Sequence, residues 1–222
     1  MENKIEQIFK NLESWRKLPK YQLERRLDIF FTIYLKEIVE VFYKEILNEK
    51  DIKLSEVIIP EFPLKKDGSN NSTNVDYVMF CKKKTKVILI ELKTDVSSVN
   101  DKQIEYLKKS KDIGWNNLHN GIKEIYKHLQ KGKYPKSLIK YKNFFESYKD
   151  ILIDNHEMEL DVIYIQPSSE KILIPKKYLK ENDSIKEFHS IGFDFIIKNI
   201  LEKENDIISQ SFSKILKEII AN

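Results

Sequence analysis

The sequence predicts an α/β fold in which a three-stranded meander and a further strand form a small mixed sheet flanked by helices. A long N-terminal segment carries apolar residues at spacings of three and four, which is typical of an amphipathic helix. Three shorter segments rich in Val, Ile and aromatic residues follow within residues 56–95. Helical segments then alternate with one more apolar strand, and this order of elements indicates an α/β sandwich around a small mixed sheet.

Each predicted element has its own sequence signal. The first helix is predicted at 21–47, where interspersed charges exclude a transmembrane span. A polar loop with an Asp67-Gly68 step separates the first two strands, and a lysine-rich turn separates the second from the third. The predicted strands are 56–62, 74–82, 86–95 and 160–166, and further helices are predicted from about 100 to 111, at 115–130, at 136–149 and over most of 182–222.

Composition narrows the class of protein. A chain of 222 residues is long enough for a real core, and we interpret it as a single domain spanning 1–222. Its only cysteine, Cys81, excludes an internal disulfide framework and favours a reducing compartment. Without a signal-peptide pattern or a long uncharged apolar segment, a cytoplasmic protein without a membrane partner is expected. The net charge of +4 is too small to identify a nucleic-acid partner by itself.

The segment VDYVMFCKKKTKVILIELKTD places charged residues in strands that otherwise read as buried. Because side chains alternate along a strand, Glu91 and Lys93 share one face. A turn centred between Lys83 and Lys84 pairs positions whose numbers sum to 167, so Asp76 is predicted to lie directly opposite Glu91.

Two carboxylates in this position repel each other unless something compensates. A hard divalent cation is the obvious candidate, because Mg²⁺ takes one or two carboxylates and completes its shell with water and substrate phosphate. Lys93 beside that ion could orient an attacking water. The alternative is that Glu91 and Lys93 form an exposed stripe on a half-solvated strand and that Asp76 is an ordinary loop-exit residue.

These residues resemble the signature of the PD-(D/E)XK nuclease superfamily, an acid on the second core strand followed by acid-x-Lys on the third. The match is Asp76 and then Glu91-Leu92-Lys93, although Val75 stands where the family name expects proline. The family core, a helix, a meander, a helix and a strand, has the order predicted here for residues 21–166, so the resemblance implies a restriction-endonuclease-like fold. The resemblance implies that Asp76, Glu91 and the carbonyl of Leu92 hold the metal and that Lys93 serves the water.

Three further residues are candidates at this site. Gln103 resembles a glutamine that recurs in several nuclease branches of the family, but its spacing from Asn100 also fits a capping box. Glu61 could reach the site as a ligand, because a loop centred near Gly68 pairs positions summing to 137 and so places Glu61 across from Asp76. Glu24 resembles an additional helix acid that some members use, although solvent exposure is the usual fate of such a residue.

The resemblance therefore implies a metal-dependent nuclease that hydrolyses phosphodiester bonds, with DNA as the expected substrate and Mg²⁺ (or Mn²⁺ as its substitute) as cofactor. Surrounding lysines could contact phosphates: Lys65, Lys66, Lys82, Lys83, Lys84, Lys102, Lys108 and Lys109. The alternative is a catalytically inactive module of the same fold that binds nucleic acid or a protein partner. A homodimer or an accessory protein is compatible with either interpretation.

Overall fold

The computed structural model describes residues 4–15, 23–66, 68, 71–95, 98–132, 135–152, 157–179 and 187–221. The chain is α/β and contains a mixed sheet with helices. The helices are α1 (Lys4–Trp15), α2 (Glu24–Glu45), α3 (Asp101–Lys131), α4 (Pro135–Tyr148), α5 (Phe193–Ile196) and α6 (Ile207–Ile220), with a 3₁₀ turn at Lys176–Tyr178 and a π-helical turn at Ile197–Leu201. The strands are β1 (Leu54–Lys65), β2 (Ser72–Cys81), β3 (Lys86–Leu92), β4 (Glu159–Gln166), β5 (Ile172–Leu173) and β6 (Glu187–Gly192).

The chain divides into two compact units. The first comprises Met1–Lys53, Leu92–Asp101 and Ile163–Asn222, and the second comprises Leu54–Glu91 and Lys102–Val162. Strand β4 contributes residues to both units. The interpretation as one domain over 1–222 stays a prediction.

In the second unit, β1, β2 and β3 form the antiparallel meander that the sequence predicts. Its core contains packed aromatic rings: the centroid of the Trp115 ring lies 5.1 Å from that of Phe80 and 5.7 Å from that of Phe62. Helix α3 is broken at Gly114, whose φ of 73° lies outside the helical region. The sequence predicted two separate helices that end and begin on either side of this residue, which agrees with the break. The second unit therefore holds β2, β3 as far as Glu91 and α3 from Lys102 onward, which include the candidates Asp76, Glu91 and Gln103.

In the first unit, β4 pairs in parallel with β6, and β6 pairs antiparallel with β5. The amphipathic helix α2 buries one face, where the ring of Phe31 lies 4.9 Å from that of Phe212 and 5.6 Å from that of Phe193. None of the helices in the described ranges is both long enough and apolar enough to cross a membrane.

The sequence prediction differs from the structure in several elements. The segment 182–222 was expected to be mostly helical, and its described part does contain α5, the π-helical turn and α6, but Glu187–Gly192 forms β6, which pairs in parallel with β4 and which no local pattern announces. The sequence prediction also omitted α1 and β5. The first predicted helix is shorter than expected, beginning at Glu24 and ending at Glu45.

Candidate metal and phosphodiester site

The ladder between β2 and β3 has the predicted register. Tyr77 pairs with Ile90 and Phe80 pairs with Val87, so each pair sums to 167. Continuing this register by one residue places Asp76 opposite Glu91. The Lys84 N–H closes the connecting turn by donating to the Cys81 carbonyl at 2.9 Å, with Lys84 itself at a φ of 54°. The turn geometry thus positions the two carboxylate-bearing residues on neighbouring strands.

The environments of these two acids differ. The Glu91 residue is only 2% exposed, whereas Asp76 is half-buried. A carboxylate inside a protein requires hydrogen-bond donors, and Gln103 Nε2 donates to Glu91 Oε1. Gln103 stands in the first turn of α3, so the helix start brings its amide to the end of β3. The structure therefore brings the Gln103 amide to Glu91, and an exposed-stripe interpretation of Glu91 does not hold.

Strand β3 ends at Leu92, and Lys93 follows directly. Both residues are buried, at 1% and 7% exposed. The Lys93 N–H donates to the carbonyl of Ile165 at 2.8 Å. Lys93 is thus an ordered, buried lysine two positions after Glu91 in the chain, unlike the solvated surface lysine that an exposed stripe would contain.

Glu61 lies in the predicted register but its side chain turns outward. Pro60 pairs with Tyr77 and Phe62 with Val75, so both pairs sum to 137 and Glu61 stands at the position across from Asp76. Its φ of 49° is a left-handed conformation that costs energy for a residue with a Cβ. The Glu61 carboxylate is exposed and accepts a hydrogen bond from Asn74 Nδ2 at 2.9 Å.

The described residues contain no group of three or more His, Cys, Asp or Glu side chains arranged to hold a metal ion. An ion shared by Asp76 and Glu91 would have two carboxylates as its side-chain ligands. That donor set fits Mg²⁺, which needs only one or two protein carboxylates and keeps several waters. It does not fit a structural zinc site, which requires four nitrogen or sulfur ligands in most cases. The side chain of Glu24, the remaining candidate acid, lies outside the described part of the structure.

The lysines proposed as phosphate contacts have different environments. Lys65 pairs with Glu124, and this hydrogen bond and charge lower the pKa of the Glu124 carboxyl. Lys66 places its ammonium 5.9 Å from the centroid of the Tyr106 ring. Lys108 is buried, at 5% exposed, and its ammonium is paired with Asp112 one turn along α3, an environment that does not favour a phosphate contact.

Sequence reasoning missed a buried charge cluster. Lys86 Nζ lies 3.1 Å from Asp161 Oδ2, and Lys111 Nζ lies 3.8 Å from Asp161 Oδ1. Both Lys86 and Asp161 are less than a tenth exposed. The sequence did contain a signal for this cluster, because Asp161 is an acidic residue inside the apolar segment LDVIYI.

Comparison of the chain with protein-family models, with curated protein sequences and with solved structures finds no match in any of the three.

Proposed function

We propose that this protein is a Mg²⁺-dependent nuclease of the PD-(D/E)XK type that hydrolyses phosphodiester bonds in DNA. The observation that supports the proposal is the register of β2 and β3, because its continuation by one residue would put Asp76 across from a buried Glu91. Two carboxylates that face each other in this way would destabilise the sheet, so the presence of both favours a role that requires both. A fold of this kind without catalysis has little use for two facing carboxylates.

In the proposed mechanism each residue has a separate task. Asp76, Glu91 and the carbonyl of Leu92 would hold the cation. Bound Mg²⁺ would supply a Lewis acid for the phosphoryl oxygens and make water a better nucleophile. Lys93 would orient the attacking water and offset the negative charge that develops on the phosphate. Gln103 would fix the orientation of the Glu91 carboxylate through its hydrogen bond to Oε1.

The test is cleavage of linear duplex, circular duplex and single-stranded DNA by the full chain with Mg²⁺, Mn²⁺ or EDTA. We expect metal-dependent cleavage that falls by about 100-fold or more in Asp76→Asn, Glu91→Gln and Lys93→Met. Lys142→Met and Glu146→Gln are the matched controls, because these residues form an exposed ion pair at 3.7 Å on α4. Both controls should cleave like the wild type.

Calorimetry with Mn²⁺ provides an independent readout. The wild type should bind the ion, and Asp76→Asn should bind it at least several-fold more weakly. Absence of metal binding together with absence of cleavage would refute the proposal and favour the catalytically inactive module.

A further inference from the structure

One aromatic residue next to the candidate site is surrounded by cations. Tyr106 lies on α3 and is half-buried. Lys66, at the end of the β1–β2 hairpin, places its ammonium over this ring, and its N–H donates to the Asn71 carbonyl at 2.9 Å. Lys102 and Lys109 precede and follow Tyr106 by one helical turn, and both reach solvent, Lys102 fully and Lys109 partly.

This group lies close to the proposed catalytic residues. Gln103 and Tyr106 are three positions apart on a helix, which separates their Cβ atoms by about 5–6 Å. The amide of Gln103 in turn contacts the Glu91 carboxylate. A stacked strand advances by about 3.4 Å for each nucleotide, so Tyr106 stands within about two nucleotides of a phosphate bound at Asp76 and Glu91.

We infer that Lys66, Lys102, Tyr106 and Lys109 form a base platform that selects single-stranded nucleic acid as the substrate of this site. The inference rests on the proposed nuclease function for the position of the scissile phosphate. An aromatic ring takes an unpaired base by stacking, while lysines around it contact the flanking phosphates without reading sequence. In a duplex the bases are paired and stacked on each other, so their faces cannot reach Tyr106.

A purely structural role for Tyr106 predicts different losses of nucleic-acid binding from those that the base platform predicts. Lys66 over Tyr106 could simply hold the β1–β2 hairpin against α3. In that case, replacing the ring would weaken single-stranded and duplex binding alike, through loss of stability. The base platform instead predicts a loss confined to unpaired bases.

The experiment measures fluorescence anisotropy of a labelled 20-nucleotide single strand and of its 20-base-pair duplex, in EDTA so that neither is cleaved. Tyr106→Leu should weaken binding of the single strand by about 5- to 100-fold, because one stacked base is lost. Its affinity for the duplex should change by less than about twofold, since phosphate contacts dominate there. Tyr106→Phe keeps the ring and should bind like the wild type.

Tyr178 is the matched control. It is also half-buried and also carries a lysine over its ring, with Lys177 Nζ 4.9 Å from the centroid, but it lies in the other unit. Tyr178→Leu should leave single-strand affinity unchanged. Lys66→Gln should weaken both ligands and reduce the slope of log affinity against log salt by about 0.7 on the single strand.

Equal losses for both ligands in Tyr106→Leu, no loss in either, or a wild type that binds the duplex more tightly would each overturn the inference. The two hypotheses fail separately. A wild type that binds single strands through Tyr106 but never cleaves them would refute the nuclease and retain the base platform. Cleavage of duplex DNA that is indifferent to Tyr106→Leu would refute the base platform and retain the nuclease.

Discussion

The buried charge cluster at the start of β3 offers a quantitative test of the structure. Lys86 and Asp161 lie 3.1 Å apart, and their side chains are only 10% and 7% exposed. Removing one partner of a buried ion pair leaves a charge without compensation in a poorly solvated position. We therefore expect Lys86→Met to destabilise the protein substantially while keeping the length of the aliphatic side chain.

The size of the destabilisation in Lys86→Met depends on the charges that remain near Asp161. Breaking a buried pair costs about 3–5 kcal/mol. Lys111 still lies 3.8 Å from Asp161 Oδ1 and would retain part of the attraction, so the lower end, about 3 kcal/mol, is expected. For a chain of this size that loss lowers the melting temperature by about 6–12 °C.

The assay is thermal and urea unfolding of the wild type, Lys86→Met and the double variant Lys86→Met with Asp161→Leu. The double variant should recover most of the loss, because replacing both charges with apolar groups removes the desolvation penalty as well as the attraction. Lys142→Met breaks an exposed pair, whose side chains are 61% and 64% exposed, and should leave the unfolding curve unchanged. A Lys86→Met protein as stable as the wild type would refute the assignment of a buried pair.

Three further predictions concern a helix cap, a close backbone approach and the metal. The Asp206 carboxylate caps α6 by accepting from Ile208 N–H at 2.7 Å and Ser209 N–H at 3.1 Å, so Asp206→Ala should cost about 1 kcal/mol in urea unfolding. Burial raises the Asp206 pKa, but hydrogen bonds, chiefly from Ser209, outweigh it and hold the pKa below its usual value. The stabilisation by ionised Asp206 is therefore present above about pH 4 and is lost as the pH falls through the lower pKa of the folded state. At low pH the wild type and Asp206→Ala should thus have the same free energy of unfolding. A Cβ on Gly192 would lie 2.9 Å from the Ser169 backbone nitrogen, and Gly192→Ala should lower the free energy of unfolding by about 1–3 kcal/mol, whereas an unchanged melting curve would contradict this contact. Mg²⁺ at 10 mM, for a Kd near 1 mM, should stabilise the wild type by about 1.4 kcal/mol and Asp76→Asn by much less, and an equal metal response in both proteins would contradict metal binding at Asp76.

Local patterns were sufficient for the meander. The tight lysine-rich turn was enough to predict the register of β2 and β3, although every residue of β3 is buried and its apolar residues do not alternate with polar ones. The same reasoning predicted the register of β1 with β2, including the position of Glu61 across from Asp76. The outward turn of Glu61 toward Asn74 could not be predicted, because it depends on a left-handed backbone conformation at that one residue.

The sequence by itself therefore determined the strands of the meander and the register of their pairing, since these follow from contacts between neighbouring segments of chain. Tertiary structure alone decided the burial of Lys108, the Lys86–Asp161 pair and the parallel ladder of β4 with β6. The physical reason is that a lysine in a helix and a polar six-residue strand look solvated in their local sequence. Burial of Lys86 and the pairing of β6 depend on partners from distant segments, Asp161 and β4, and burial of Lys108 depends on the packing around α3, while Asp112 one turn along compensates its charge.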